Sequence, residues 1–330
     1  MARGRSREFF VLGYAAGPPN KAAKKKMTEL AALLSRLSMV DIAMTPVSTY
    51  NDLTQKMARA EIDFAWLPPI PFLALHARGI VVPLASARAA TYASAIIVAQ
   101  DSRLQKPTSL VGKHAGWVDR YSAAGFVVPR IKLARVGVDP RIAFRSERFL
   151  GSHAEVVRAV AAGDVDFGAT WAHAGPRLTG PWARMAAEVR VLATFGNIPP
   201  DVFAARSDID QTIRKMVVRA LKNLDQDRGK LWLVRDVFGT DSFFRPDVSL
   251  YGSLHEAVAD AYRSGILEIE AAETDELDVA KTLEMRPRAA LAVAMRNINP
   301  DATDEAEIIE VIEPSNPEIR LRPLGTTWVE

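Results

Sequence analysis

The sequence predicts a two-lobed α/β protein with a central cleft and a small C-terminal extension, on three observations. Short apolar strands alternate with amphipathic helices up to about residue 200. The alternation restarts near residue 93, which makes two α/β units rather than one. From residue 275 the texture changes to short β-like runs split by Asn-Pro and Glu-Pro breaks.

The elements follow in order. "FFVLGYAA" reads as a buried strand, and "KKKMTELAALLSRLSM" as a helix with apolar positions three and four apart. "VDIAMTPVS" is the next strand, and "YNDLTQKMARAE" a helix with Asn51 or Asp52 near its start. "IDFAWLPP" is a strand halted by paired prolines, "PFLALHARG" a helix closed by Gly79, and "IVVPLAS" a strand. Such a βαβ series implies a mostly parallel sheet with helices on both faces.

The second unit opens with the long strand "YASAIIVAQDS", the helical turn "TSLVGK" and the strand "HAGWVD". A helix beginning at Ser122 follows, then "GSHAEVVRAVAAGD", a helix capped by Ser152. "VDFGATW" and "VRVLATFG" are strands, and "DVFAARSDI" leads back to the helix "QTIRKMVVRALKNLDQD". The expected lobes are therefore 8–92 with 200–274, and 93–199. Residues 275–330 form an appended module with β-like runs, a candidate contact for a partner or a second copy.

Composition removes several functions. With 48% apolar and 25% charged residues the chain is that of a soluble globular protein. A net charge of +3, partly from Arg3, Arg5 and Arg7 in an N-terminal arm, leaves no basic surface for nucleic acid. No apolar window approaches the roughly 18 residues of a membrane span. The absence of cysteine excludes disulfides, thiolate nucleophiles and Cys-rich zinc sites. The five histidines form no H-E-x-x-H, and there is no G-x-S-x-G elbow or complete phosphate loop. The expectation is a protein that is not an enzyme, with no metal and no cofactor. The charged start "MARGRSRE" lacks a secretory signal. As written the chain is expected in the cytoplasm; an export signal removed beforehand would put it in the periplasm.

The remaining signal is polar and aromatic residues where strands end, which is where open α/β sheets bind ligands. "PVSTYNDL" places Ser48, Thr49 and Tyr50 at one such junction, "DFAWLPP" places Trp66 and Leu67 at another, and "TYAS" offers Tyr92 and Ser94. "RYSAAG" and "FLGSHAE" put Ser122 and His153 at or near helix starts.

At these residues the chain resembles the phosphonate/phosphite/phosphate-binding proteins of ABC importers, the PhnD-like group of type II periplasmic binding proteins. The ordered series "TYNDLTQKMARAEIDFAWLPP", "YASAIIVAQDS", "SLVGKHAGWVDRYSAAGFVVP", "LGSHAEVVRAVAAGDVDFGATW" and "IPPDVFAAR" carries the likeness, which runs from about residue 8 to 265. The resemblance implies two lobes that close on a small oxyanion, and an ABC permease as partner. The anion would sit on hydroxyls and backbone N–H groups at Ser122, Ala123, Ala124 and Gly125. Tyr50 and Tyr92 would complete the cage, His153 would orient its loop, and Thr49, Trp66 and Thr170 complete the ligand-binding set.

One departure matters. Ser122-Ala123-Ala124-Gly125 stands where the family commonly has Ser-Thr-Ser-Gly or Ser-Ala-Ser-Gly. Each lost hydrogen bond to a charged group is worth about 1.5–3 kcal/mol. The backbone donors survive both alanines, but hydroxyl specificity is lost. The second expectation is accordingly a cytoplasmic sensory or assembly protein that reuses the fold with altered ligand binding.

Overall fold

The structure, a computed structural model, describes residues 9–15, 21–87, 91–172, 187–224, 229–240, 242–268 and 277–284. The first run comprises β1 (Phe10–Ala15), α1 (Lys21–Ser38), β2 (Ile42–Val47), α2 (Tyr50–Ala58), β3 (Phe64–Leu67), α3 (Pro69–Ala77) and β4 (Val81–Ser86). The second comprises β5 (Tyr92–Ala99), β6 (His114–Trp117), α4 (Val128–Arg135), β7 (Ser146–Phe149), α5 (His153–Ala161), β8 (Phe167–Ala172) and β9 (Val189–Ile198). The chain then returns through β10 (Val202–Arg206), α6 (Gln211–Leu224), α7 (Leu231–Phe238), α8 (Gly252–Arg263) and α9 (Val279–Glu284).

Two five-stranded sheets result, ordered β2-β1-β3-β10-β4 and β7-β6-β8-β5-β9. In each, one strand runs against its neighbours: β10 in the first sheet and β5 in the second. Both are strands that arrive from the other sheet, so they enter from the opposite end. The parallel strands are set by the same device in both sheets. Asp63, just before β3, accepts the Val11 N–H at 2.8 Å, and Asp166, just before β8, accepts the His114 N–H at 2.8 Å. Parallel strands need this kind of anchoring because no tight hairpin fixes their register.

Helical periodicity places the cores. In α1, Met27, Leu30, Ala31 and Leu34 are buried in an i, i+3, i+4, i+7 pattern, and Leu30 and Leu34 share a cluster with Val217, Leu221 and Leu224 of α6. A second cluster runs without a break from Leu53 and Phe72 to Trp117 and Phe126, so apolar packing continues from one sheet to the other. The two crossings are tied together near the cleft. Ala87 N–H donates to the Asp201 carbonyl at 3.0 Å, and the Tyr251 hydroxyl donates to the Pro200 carbonyl. No helix among the described residues is long and apolar enough to cross a membrane.

The structure adds to the local reading twice and changes it once. The cap of α2 is Thr49, whose Oγ1 accepts the Asp52 N–H at 3.0 Å, with Asn51 and Asp52 in the first turn, near the start as the sequence places them. Strand β7 has no alternating pattern because all four of its residues are exposed. It is held instead by Glu147, which accepts the Trp117 Nε1–H at 2.7 Å and pairs with Arg130. Residues 277–284, read from the sequence as part of a β-like module, form a turn into helix α9, with Val279 and Leu283 buried. The rest of the expected extension, 285–330, lies outside the described residues, as do 269–276.

Candidate functional site

A cleft of about 560 Å³ opens between the two sheets. Its walls are strand ends. The carboxyl ends of β1, β2 and β3 contribute Tyr14, Ser48, Thr49 and Trp66, and those of β6, β7 and β8 contribute Asp119, His153 and Trp171. The reversed strands meet the same space at their amino ends, through Tyr92, the first residue of β5, and Pro200 and Asp201 before β10. Trp66 is also a core residue, its ring tilted against that of Phe238 with centroids 4.9 Å apart.

The segment 119–128 is knotted by its own hydrogen bonds. The Asp119 carbonyl accepts the Ser122 N–H at 2.9 Å, and its carboxylate accepts the Tyr121 N–H at 2.8 Å. Ser122 Oγ accepts the Gly125 N–H at 3.0 Å, and the Ser122 carbonyl takes the N–H groups of both Phe126 and Val127. The result is a widened π-type turn, Ala123–Val127, that runs into α4. Among the described residues, the N–H groups of Ala123 and Ala124 have no acceptor. With the Ser122 hydroxyl proton they are the donors this turn has left for a ligand. Gly125 is required by packing: a Cβ there would lie 2.3 Å from Val118 Cγ2 and 2.6 Å from Val118 Cβ.

The opposite wall differs in charge. Asp201 lies close enough to Tyr14, Tyr50 and Tyr92 to act on all three. Burial chiefly, and Asp201 next, push the Tyr14 hydroxyl up to about 12 and hold Tyr50 and Tyr92 well above the ordinary tyrosine value. These hydroxyls therefore stay protonated as donors. The C-terminal end of α7, closed by Gly239 in the left-handed conformation, also faces the cleft. The helix start of α5 and the Ser122 turn thus line the side built on the second sheet. A helix C-terminus and the Asp201 carboxylate line another. Such an arrangement favours an anion at one end and a cation at the other. Asp236 of α7 is neutralised by Lys26 at 2.5 Å.

His153 sits at the start of α5, where the Ser152 hydroxyl caps the helix by accepting the Glu155 N–H at 3.2 Å. Its Nδ1 meets Thr170 Oγ1 at 3.1 Å, and burial lowers its pKa to about 4, so the ring is neutral around pH 7.

Of the residues singled out from sequence, Thr49, Tyr50, Trp66, Tyr92, Ser122, Ala123 and His153 line the cleft together. Ala124, Gly125 and Thr170 stand behind it. The Ala124 carbonyl accepts from Ser94 Oγ at 2.7 Å, the Gly125 N–H is spent on Ser122, and Thr170 supports His153. Tyr14, Asp119, Trp171, Asp201 and the end of α7 were not anticipated. The strand-end rule reaches Tyr14 and Trp171 when applied to β1 and β8. For α7 no local signal exists.

Two sheets joined by two crossings, with a cleft lined by strand ends and helix N-termini, define a two-lobed solute-binding protein. The family model described as "ABC transporter, phosphonate, periplasmic substrate-binding protein" matches residues 13–251. The chain belongs to that family. The description names the periplasm, the second of the two compartments left open by the sequence.

Solved structures agree in fold. A binding-protein component of an ABC phosphonate transporter from Pseudomonas aeruginosa superposes with a TM-score of 0.66 at 16% identity, over 89% of this chain and 99% of that one. PhnD1 from Prochlorococcus marinus, in complex with methylphosphonate, gives 0.65 at 15% identity, over 78% and 99%. The alkanesulfonate-binding protein SsuA from Xanthomonas axonopodis pv. citri, bound to MOPS, gives 0.54 at 18%, over 84% and 99%.

Proposed function

We propose that this chain captures a small phosphonate-type oxyanion between its two lobes and presents it to an ABC permease. The lobes are 8–92 with 200–274, and 93–199. The observation that carries the reading is the backbone N–H of Ala123, without an acceptor among the described residues, beside the Ser122 hydroxyl at the cleft wall, with the Ala124 N–H, also without one, just behind it. The anionic head sits there, Tyr50 and Tyr92 close over it, and His153 stays neutral and fixes the neighbouring loop. Asp201, opposite, suits a ligand tail that is cationic, as in an aminoalkylphosphonate.

The test is a thermal-shift panel of methylphosphonate, 2-aminoethylphosphonate, phosphate and methanesulfonate. A ligand at 100 times its Kd stabilises the native state by about 2.7 kcal/mol, which is visible as a raised Tm. The expected result is a shift with at least one phosphonate, lost in Ser122→Ala. No shift with any member of the panel overturns the reading.

A further inference from the structure

We infer that Asp119 makes the anion subsite selective for a singly charged, proton-bearing phosphonate over the dianion and over sulfonates. This rests on the oxyanion reading above and concerns which protonation state the same subsite accepts.

A site for a dianion needs many donors or a cation, because each charge must recover its hydration. Here the local N–H groups are largely spent within the protein. Asp119 takes those of Tyr121 and Ser122, Ser122 Oγ takes that of Gly125, and the Ser122 carbonyl takes those of Phe126 and Val127. The Asp119 carboxylate also reaches across the cleft to the Tyr50 N–H at 3.2 Å, at the N-terminus of α2. A second helix start that would otherwise serve an external anion is thus met by an internal one.

Asp119 lines the cleft three residues before the Ser122 hydroxyl. The nearest cation in sequence, Arg120, is engaged with Glu268 at 3.4 Å and lies over the Phe149 ring. Facing the subsite from the other elements are Tyr50 of α2, Tyr92 of β5, His153 of α5 and Asp201 before β10, with Arg235 and Asp236 on α7. The tyrosines are neutral through the physiological range and so is His153, so they add no positive charge. Among the described residues that line the cleft, the fixed charge nearest the donors along the chain is therefore the Asp119 carboxylate, and Arg235 is the one Arg or Lys, against Asp119, Asp201 and Asp236. An ionised carboxylate only accepts hydrogen bonds. It repels a dianion, gains nothing from an acceptor-only sulfonate, and welcomes a P–OH that donates to it.

The experiment is isothermal titration of the full chain with methylphosphonate and methanesulfonate, from about pH 6 to about pH 9, which spans the second ionisation of an alkylphosphonate, higher than the roughly 6 of a phosphate monoester because carbon withdraws less charge than oxygen. Tyr50 and Tyr92, held well above the ordinary tyrosine value, and His153, lowered to about 4, keep their protonation state through that interval. The wild-type Kd for methylphosphonate is expected to rise toward about tenfold per pH unit once the dianion dominates. Methanesulfonate is expected to bind at least about tenfold more weakly at the acid end. In Asp119→Asn, which keeps an acceptor for one N–H and removes the charge, the pH slope should flatten and methanesulfonate should gain. A flat or falling Kd in the wild type overturns the inference while leaving the oxyanion reading intact. Binding of neither probe at any pH overturns both. The wild-type comparison stands even if the variant fails to fold.

Discussion

Ser122 Oγ accepts the Gly125 N–H at 3.0 Å, and this one bond both caps the turn and shapes the proposed anion subsite. It predicts unequal consequences for the two residues. Ser122→Ala removes an N-terminal cap, at about 1 kcal/mol of stability, together with a hydroxyl proton directed at the ligand. Gly125→Ala is predicted to be worse for folding, since its methyl would meet the rigid Val118 Cβ at 2.6 Å. Overpacking of that kind costs about 1–3 kcal/mol. Urea denaturation of both variants should rank Gly125→Ala below Ser122→Ala, and the reverse ranking would show that the turn yields easily.

Asp201 separates ligands by their tails. If a cationic tail meets its carboxylate, Asp201→Asn removes a charge-assisted bond worth about 1.5–3 kcal/mol, roughly a factor of 10 to 150 in Kd. Affinity for 2-aminoethylphosphonate should fall by that factor, with methylphosphonate changed by less than about threefold. Calorimetry on the pair of ligands reads the difference directly. Equal losses for both would mean that Asp201 acts through its tyrosine neighbours and not on a tail.

The site was legible where chemistry and position coincide in a short stretch. Tyr50, Tyr92, Ser122 and His153 are each conspicuous beside a strand end, and their convergence follows from the α/β topology. Asp119 was hidden for a physical reason. An aspartate in a turn reads as an exposed cap, and its second partner, the Tyr50 N–H, lies 69 residues away. Arg235, Phe238 and Gly239 reach the cleft only because α7 packs on α1 and Trp66 packs against Phe238, contacts that no local pattern encodes. Strand β7 escaped notice because a fully exposed strand has no apolar alternation to reveal it.

His153 gives a pH dependence with a definite sign. Its folded pKa is lowered, from 6.5 to about 4, by burial of the ring. The unfolded chain therefore binds the proton first as pH falls. The stability linked to this group is complete above the unfolded value of 6.5 and is lost progressively between there and about 4. The loss is at most about 3 kcal/mol, and less to the extent that the part-buried ring is solvated. Chemical denaturation at about pH 7 and about pH 5, a range chosen above most carboxylate titrations, should show the wild type weakening more than His153→Gln. Parallel slopes would place the acid sensitivity elsewhere.

The last prediction concerns where the folded body ends. Gln55, buried in α2, holds the backbone of Leu277 in both directions: its Oε1 accepts the Leu277 N–H at 2.7 Å and its Nε2 donates to the Leu277 carbonyl at 3.0 Å. Beyond that clamp, Val279 and Leu283 are buried where α9 packs on α3 and α8. A boundary drawn at residue 275 on texture alone therefore cuts into the core. Gln55→Ala leaves two backbone groups without partners, at about 1–3 kcal/mol for each that water cannot reach. A chain ending at residue 276 loses the clamp and both apolar anchors together, so its Tm should fall below that of Gln55→Ala. A chain ending at Glu284 keeps all of them. Because α2 carries Thr49 and Tyr50 at its other end, loosening its rear contact should also weaken ligand binding in Gln55→Ala. Unchanged Tm and Kd in the chain ending at 276 would show that α9 rests on the protein without supporting it.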